Sequence, residues 1–419
     1  MPLTILSDDE VRSLLHSLTR QDVLEIQQSL GDALHYYSTA SADENDCCSS
    51  YQPQRTHMKR KDGSTTLFMP ASSQYGLGVK IVTLPDPSLS ASSETKTSEG
   101  DSGHDLTVPR GSLTLLDAHG FPRALINAEE ITAFRTALAS TMLFKKRRNV
   151  HDVTIFGAGK QAYWHARLAL LLRGDEIHHL NIIARTFDRA KGLVQKLYDP
   201  DNSPNGGVHR PQTAIITPAH TEYERYLKST VRSSSAIFMT TPSLEPLFPA
   251  SYLTNHEGRR KGRYVAAIGS YKPHMCEIHP DILRQAVAPQ HGHHFHKHAK
   301  EGGAIVVDSV EACLREAGEL IQAKLEGHEV VELGELLMLK RRDAEIKQST
   351  SDSQSSTDGS GIEVKNNRPG ESDGGLRDWL ERGNVIYKSV GLGLMDVVVG
   401  ANLVTLADQR AVGTRVEKF

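Results

Sequence analysis

A glycine-rich turn between an apolar strand and an apolar helix is the segment with the clearest chemical meaning. Residues 153–162 read VTIFGAGKQA, in which Gly157 allows a tight turn and Gly159 lets the backbone approach a pyrophosphate. The phosphates would lie at the positive N-terminus of a helix predicted over 160–173. The pattern predicts a dinucleotide site, and we assign these residues to cofactor binding: Gly157, Ala158, Gly159, Gln161 and Ala162.

The residues after the next predicted strand indicate which nicotinamide cofactor to expect. An acidic side chain there would bind the ribose 2′-hydroxyl of NAD and repel the 2′-phosphate of NADP. This chain has Ala184 at that position. Donors suited to a phosphate follow it: Arg185, Thr186 and Arg189. We therefore expect NADPH in preference to NADH, although arginines on a solvated face would look the same.

Apolar segments at crossover spacing follow the turn and predict a parallel sheet. They are 180–184, 213–217, 236–240, 264–268 and 304–308. Strands that alternate with helices predict a doubly wound, Rossmann-type α/β fold with helices on both faces. Ligands bind outside the carboxyl ends of strands in such sheets, so we expect Thr241, Ile268 and Ser270 to line the nicotinamide ribose.

The sequence before the turn predicts a second domain of the α+β type. Strands are expected at 78–84 and 111–117, with a turn at 118–120 and a helix that begins after Asn127. The chain after residue 384 opens as a strand or loop and continues as a small-residue helix. We expect that helix to pack on the first domain.

Polar segments divide the chain. They are 38–52, 86–106, 289–300 and 347–376, and their composition is too polar to bury a core. We therefore expect one domain from 1–148 with 377–419, a Rossmann domain at 149–346, and a disordered linker at 347–376.

The composition of the 419 residues narrows the class of protein. The net charge of −3 carries no basic excess, so neither nucleic acid nor a membrane is expected as a partner. The cysteines form no disulfide framework and the N-terminus is acidic, which together favour the cytoplasm. The apolar stretch 390–407 contains Asp396 and several glycines, so it is not predicted to span a membrane.

A histidine-rich segment is the remaining candidate for metal chemistry. His291, His293, His294, His296 and His298 lie close together, with no acidic or cysteine partner nearby. We interpret the segment as a solvated loop and predict no metal site.

Several blocks in a fixed order resemble the ornithine cyclodeaminase/mu-crystallin family. They are MPASSQYGLGVKIVTLPD (69–86), LLDAHGFPRALINAEEITAFRTALAS (115–140), FGAGKQA (156–162), AAIGSYKPHMCEI (266–278), VVDSVEACLREAGEL (306–320) and KSVGLGLMDVVVGA (388–401). The resemblance covers most of the chain outside the polar segments. It implies that the first domain binds substrate and forms a homodimer, and that the second binds the cofactor.

The resemblance also implies where the substrate lies. Arg55, Lys80 and Arg135 would surround the carboxylate of a small amino or imino acid, which needs a charge-paired anchor. We assign Lys80 and Arg135 to catalysis as well, and Gly391 to the cofactor site. The proton donor is left open between Lys80 and a bound water.

One residue departs from the family pattern. Cyclodeaminases of this family carry an aspartate where this chain has Tyr271, and a tyrosine of pKa about 10 is a poor base at neutral pH. The resemblance therefore implies a reductase of cyclic ketimines such as pyrroline-2-carboxylate or piperideine-2-carboxylate. Two alternatives stay open, namely an NAD-dependent ornithine or lysine cyclodeaminase and a non-catalytic protein that binds a small ligand.

Overall fold

Two sheets, one in each of two units, carry the candidate site residues. The computed structural model describes residues 2–39, 52–74, 76–84, 110–202, 207–259, 261–288, 304–337 and 371–419. The first unit comprises Met1–Ala139, Asp199–Gly207 and Gly391–Phe419. The second unit comprises Ser140–Tyr198 and Val208–Val390.

The regular elements follow the chain in this order. The strands are β1 (Leu3–Leu6), β2 (Thr56–Lys59), β3 (Thr65–Ser73), β4 (Gly76–Leu84), β5 (Arg110–Leu116), β6 (Pro122–Asn127), β7 (Asp152–Phe156), β8 (His179–Ile183), β9 (Gln212–Ile216), β10 (Ala236–Met239), β11 (Tyr264–Ala267), β12 (Ile305–Val307), β13 (Val330–Glu332), β14 (Val385–Lys388) and β15 (Thr414–Val416). The α-helices include α1 (Asp8–His16), α2 (Arg20–Thr39), α3 (Ala128–Phe144), α4 (Lys160–Arg173), α5 (Phe187–Leu197), α6 (Tyr223–Ser233), α7 (Ser251–Thr254), α8 (His256–Arg259), α9 (Pro280–Val287), α10 (Val310–Glu316), α11 (Gly318–Ala323), α12 (Glu371–Arg382) and α13 (Gly393–Gln409).

The first unit has an α+β fold, in which helices pack on a sheet of order β15-β1-β6-β5-β4-β3-β2. Strands β2 to β6 form antiparallel pairs, and β1 lies parallel to β6. The apolar helix α13 packs on β3, β4 and β5 and on α2, as the sequence predicts. The expected strands at 78–84 and 111–117 are β4 and β5. The helix expected after Asn127 is α3, whose first turn is capped by the Asn127 side chain.

The second unit is a doubly wound α/β fold. Its sheet is parallel throughout, in the order β13-β12-β14-β11-β10-β7-β8-β9. Each strand predicted after the glycine turn is present to within about a residue of its expected bounds. The three-residue β13 was not predicted, because so short an apolar run carries no periodicity. The Rossmann-type fold class is confirmed.

The boundary between the units differs from the predicted one. The sequence analysis placed 377–419 in the first domain, whereas the structure assigns the chain to the second unit as far as Val390. The reason is β14, which pairs with β11 and β12 inside the parallel sheet.

The polar segments lie largely outside the described residues. This holds for 86–106, for the histidine-rich loop at 291–298, and for most of the predicted linker, whose last six residues open α12. Within the part of the chain that is described, no helix is long and apolar enough to cross a membrane.

Candidate active site

The glycine turn links β7 to α4 and leaves open space at the N-terminus of that helix. Gly157 has a φ of +114°, and a Cβ there would lie 2.7 Å from Thr240 Oγ1, so the position requires glycine. Gly159 is the N-cap of α4, and a Cβ on it would meet no described atom within 4 Å. The other predicted turn residues also lie here: Ala158 and Gln161 are half-buried and Ala162 is buried. The free helix end can hold a pyrophosphate.

The predicted phosphate donors surround the junction of β8 and α5. Arg185, Thr186 and Arg189 are all exposed. Thr186 is the N-cap of α5, and its side chain makes no capping hydrogen bond. Two guanidinium groups and an uncapped helix start therefore lie together where a ribose 2′-phosphate would be expected.

A buried cluster of opposite charges in the first unit joins two of the predicted substrate residues. Lys80 on β4 is 2% exposed and Arg135 on α3 is 5% exposed. Asp396, in the first turn of α13, contacts both of them. Its Oδ2 lies 2.8 Å from Lys80 Nζ, and its Oδ1 accepts from Arg135 Nε at 3.2 Å. Two cations share one carboxylate, so the cluster keeps a positive excess that can bind an anion.

Burial also controls the ionisation of Lys80. It lowers the pKa of Lys80 to about 8, while the charge of Asp396 acts in the opposite direction. The charges of Arg135 and Arg55 lower this pKa as well, so Arg55, half-buried just before β2, belongs to the same electrostatic cluster. Lys80 is thus mostly protonated at neutral pH, and it releases its proton at a pH only slightly higher.

Asp396 is the functional residue that sequence reasoning missed. It is fully buried, and its partners are separated from it by long stretches of chain. In the sequence analysis, Asp396 served only as evidence that 390–407 does not span a membrane. The available signal was a single carboxylate inside an apolar helix, because a buried acid requires a charged or hydrogen-bonded partner.

Gly391 lies against Arg135 in the first unit. Its φ is +89°, and a Cβ on it would be 2.8 Å from Arg135 Nη2 and 3.0 Å from Nη1. The absence of a side chain therefore makes room for the guanidinium. Gly391 thus lies beside the Arg135 guanidinium, and its assignment to the cofactor site stays a prediction.

The residues predicted for the nicotinamide ribose follow β10 and β11. Thr241 is half-buried, and its backbone N–H donates to Glu277 Oε1 at 2.6 Å. Ile268 is 8% exposed. Ser270 is fully buried, and its hydroxyl donates to Glu319. The Ser270 side chain is thus part of the interior of the second unit, and its place at the nicotinamide ribose stays a prediction.

Comparisons with known proteins show which family and fold the chain resembles. The model of the ornithine cyclodeaminase/mu-crystallin family matches residues 16–201. The resemblance to this family is confirmed. A Delta(1)-pyrroline-2-carboxylate reductase of Bacillus cereus is 26% identical over 359 residues, covering 84% of this chain and 85% of the relative.

Two solved structures share the fold. An archaeal alanine dehydrogenase dimer with bound NAD has a TM-score of 0.65 at 19% identity and covers all of both chains. The Delta(1)-pyrroline-2-carboxylate reductase of Thermococcus litoralis, in complex with NADH and L-proline, has a TM-score of 0.65 at 20% identity. It covers 99% of this chain and 100% of its own. At these identities the likeness establishes the fold.

Tyr271 stands where the family resemblance implies an aspartate in cyclodeaminases. It is half-buried, and burial raises the pKa of its hydroxyl. Lys272 Nζ lies 5.7 Å from the ring centroid and does not reverse that direction. At neutral pH Tyr271 is therefore even less ionised than an exposed tyrosine, so very little phenolate is present to act as a base.

Proposed function

We propose that this protein is an NADPH-dependent reductase of a cyclic ketimine carboxylate of the pyrroline-2-carboxylate or piperideine-2-carboxylate type. The broader class is an NAD(P)H-dependent oxidoreductase that acts on C–N bonds, and the Bacillus and Thermococcus relatives carry names of that class. The observation that carries the proposal is the buried cluster in which Lys80 and Arg135 share Asp396.

The cluster suits a small substrate that has one carboxylate. Asp396 engages Arg135 through Nε, and Met395 Sδ accepts from Nη1 at 3.4 Å. Nη2 and the second N–H of Nη1 can donate to a carboxylate in the fork geometry that guanidinium groups favour. Lys80 adds a second cation from the neighbouring sheet, and Arg55 adds to the positive potential. Holding the carboxylate at these points fixes the position of the imine carbon, which is the main contribution that orientation makes to rate.

The protonation chemistry required of the chain is modest. NADPH supplies the hydride when it is bound. The imine nitrogen then needs one proton, which Lys80 or a water molecule donates. Burial holds the pKa of Lys80 at about 8, within the range in which a general acid is effective near neutral pH.

The absence of a carboxylate at position 271 supports reduction over cyclodeamination. A cyclodeaminase must first oxidise an amine and then expel ammonia, which calls for a group that accepts and returns protons. Tyr271 is a poor candidate for this role, since burial raises the pKa of its hydroxyl. A reductase receives the imine already formed and needs no such group.

The preference for NADPH rests on the exposed donors Arg185, Thr186 and Arg189. Guanidinium groups pair with phosphate in bidentate fashion, and an uncapped helix start adds backbone donors. The Thermococcus relative was solved with NADH. The preference is therefore a property we propose for this chain and not one inferred from that relative.

We further propose that the protein is a homodimer that forms through the first unit. Leu77 and Leu125 lie in its sheet and are 44% and 40% exposed, and Phe121 in the adjoining turn is 63% exposed. Large exposed apolar side chains that occur in one sheet and its adjoining turn mark an interaction surface. The related alanine dehydrogenase was solved as a dimer. Light scattering of the wild type and of Leu125→Glu tests the proposed dimer, and a monomeric wild type would refute it.

A cytoplasmic location stays a prediction.

The proposed reaction is tested by mixing purified protein, NADPH and a panel of cyclic imino acids. We expect NADPH absorbance to fall with pyrroline-2-carboxylate or piperideine-2-carboxylate, and to fall more slowly when NADH replaces NADPH. A protein that binds these imino acids without turnover would support the non-catalytic alternative and refute the proposal.

A further inference from the structure

A buried network of charged groups joins the ends of three neighbouring strands in the second unit. It consists of Ser270, Glu277, Glu319 and Lys388, and we call it the strand-end network. All four side chains are at most 1% exposed. Strands β10, β11 and β14 lie side by side, and the network touches the residues at or just after their carboxyl ends. Nothing in the proposed reaction uses these charges.

Glu277 holds the segments after β10 and β11 together. Its Oε1 accepts from the backbone N–H of Thr241 at 2.6 Å, and its Oε2 accepts from the N–H of Gly269. A Cβ on Gly269 would lie 2.2 Å from the Thr241 carbonyl oxygen. The two backbones therefore touch, and one carboxylate fixes both. Burial raises the pKa of Glu277 to about 7, while the Lys388 charge opposes that rise.

Lys388 extends the network from β14 to the β11 segment. Its Nζ donates to the Ser270 carbonyl oxygen and, at 2.6 Å, to the Ser270 hydroxyl. The hydroxyl donates in turn to Glu319, whose carboxylate lies 3.3 Å from Lys388 Nζ. The segment after β11 is thus fixed on one side by Glu277 and on the other by Lys388.

Such a network is a poor way to gain stability. Removing charges from water costs about as much as their attraction returns, and apolar replacements of similar volume are often neutral or stabilising. What the network does supply is a fixed position for two backbone segments. The fixed position of these two segments is the best explanation for the presence of the strand-end network.

The order of the strands indicates which half of a dinucleotide these segments face. The glycine turn follows β7, and the 2′-phosphate donors follow β8 on one side of it. Strands β10 and β11 lie on the other side of β7, and Thr240 Oγ1 donates to the carbonyl of Phe156 at the end of β7. A dinucleotide that crosses the carboxyl ends of the strands would place its nicotinamide half over β10 and β11.

We propose that Glu277 and Lys388 are positioning residues, which hold the segments after β10 and β11 in the shape that receives the nicotinamide half of the cofactor. The inference rests on the proposed binding of NADPH. It assigns these two residues no contact with the cofactor and no step in the chemistry.

Two ligands separate a positioning role from a purely structural one. NADPH contains both halves of the cofactor, whereas 2′,5′-ADP contains the adenosine half and its 2′-phosphate alone. Calorimetric titration of each ligand is performed on the wild type, on Glu277→Gln, and on the control Glu257→Gln. Glu257 is an exposed residue of α8.

The amide of Glu277→Gln keeps one acceptor oxygen but turns an N–H₂ group toward a backbone N–H. We expect NADPH affinity to fall by about tenfold or more, since one of the two backbone hydrogen bonds that Glu277 accepts is lost. We expect 2′,5′-ADP affinity to change by less than about twofold, and the control variant to behave as the wild type does. If Glu277→Gln does not fold, Ser270→Ala removes a single hydroxyl of the network, and the same selective loss is expected.

The outcomes distinguish the inference from the proposed function. A wild type that binds neither ligand would overturn the proposed cofactor, and the inference with it. The positioning role alone would be overturned if the wild type binds NADPH and 2′,5′-ADP and Glu277→Gln binds both as tightly as the wild type does. Weaker binding of both ligands to the same degree in Glu277→Gln would overturn it as well.

Discussion

Asp396 contacts both cations of the proposed substrate anchor. It pairs with Lys80 Nζ and Arg135 Nε, and its charge raises the pKa of Lys80 against the effect of burial. A neutral amide at this position would remove the negative charge that offsets the cost of burying the Lys80 ammonium group. The role of Lys80 as a cation thus depends on a residue that lies on another element.

The pH dependence of turnover tests this coupling. Lys80 binds the carboxylate only while protonated, so kcat/KM should fall as the pH rises through about 8. Asp396→Asn should move this fall to lower pH, because Asp396 raises the pKa of Lys80. The quantity to compare is the ratio of variant to wild-type kcat/KM across the pH range, in which ionisation of the substrate cancels. A constant ratio would contradict the coupling.

Arg135 should be needed for substrate and not for cofactor. Arg135→Ala removes the bidentate anchor, and kcat/KM for the imino acid should fall by about a hundredfold or more while NADPH affinity stays nearly unchanged. Gly391→Ala should reproduce part of the defect, because the added Cβ would lie 2.8 Å from Arg135 Nη2. Parallel loss of cofactor binding in Arg135→Ala would instead assign this residue to the nucleotide or the fold.

At the scale of elements, we propose that the junction of β8 and α5 sets the choice of cofactor. Arg185→Asp places an acid where a 2′-phosphate is expected, and NADPH binding should weaken by about 1–3 kcal/mol relative to NADH. Titration of both nucleotides measures the change. Arg225→Asp, an exposed arginine on α6, serves as the control. Equal affinity of the wild type for both nucleotides would contradict the role of Arg185.

The elements were predictable because their signals are local. Alternating apolar segments and a glycine turn predicted β7 to β12 and α4, whose bounds match the sequence at 160–173. The contacts between distant elements were not predictable in the same way. Arg135 and Asp396 stand 261 positions apart, and nothing local indicates that they meet. Lys80 and Arg135 were predicted only through the family resemblance. Ser270 was predicted to line the nicotinamide ribose, and nothing local indicates that its hydroxyl donates to Glu319.

At the scale of the whole molecule, the segment before α12 is expected to be dispensable. Its polar, glycine-rich composition lacks apolar periodicity, and the sequence analysis extended that expectation to 347–376. The structure limits the segment expected to be dispensable to 347–370, since α12 begins at Glu371. Replacing 347–370 by a short linker should leave the melting temperature and activity nearly unchanged.

A longer deletion provides the contrast. Arg147 is 3% exposed, and it donates to the carbonyls of Leu380 and Gly383, both at 2.7 Å. Removal of α12 together with Gly383 would leave this guanidinium without these acceptors, at a cost on the order of 3 kcal/mol or more. Thermal unfolding of the two deletions should therefore differ sharply. Similar melting temperatures would show that α12 contributes little to the fold.

The most direct test of the account is to compare the two reactions that distinguish a reductase from a cyclodeaminase. Wild-type protein is given pyrroline-2-carboxylate with NADPH in one assay and ornithine with NAD in the other, and proline and ammonia are measured in both. We predict proline formed in step with NADPH consumption, no ammonia from ornithine, and a substantial fraction of the reductase activity in Tyr271→Phe. Release of ammonia from ornithine with proline as product would contradict the central claim.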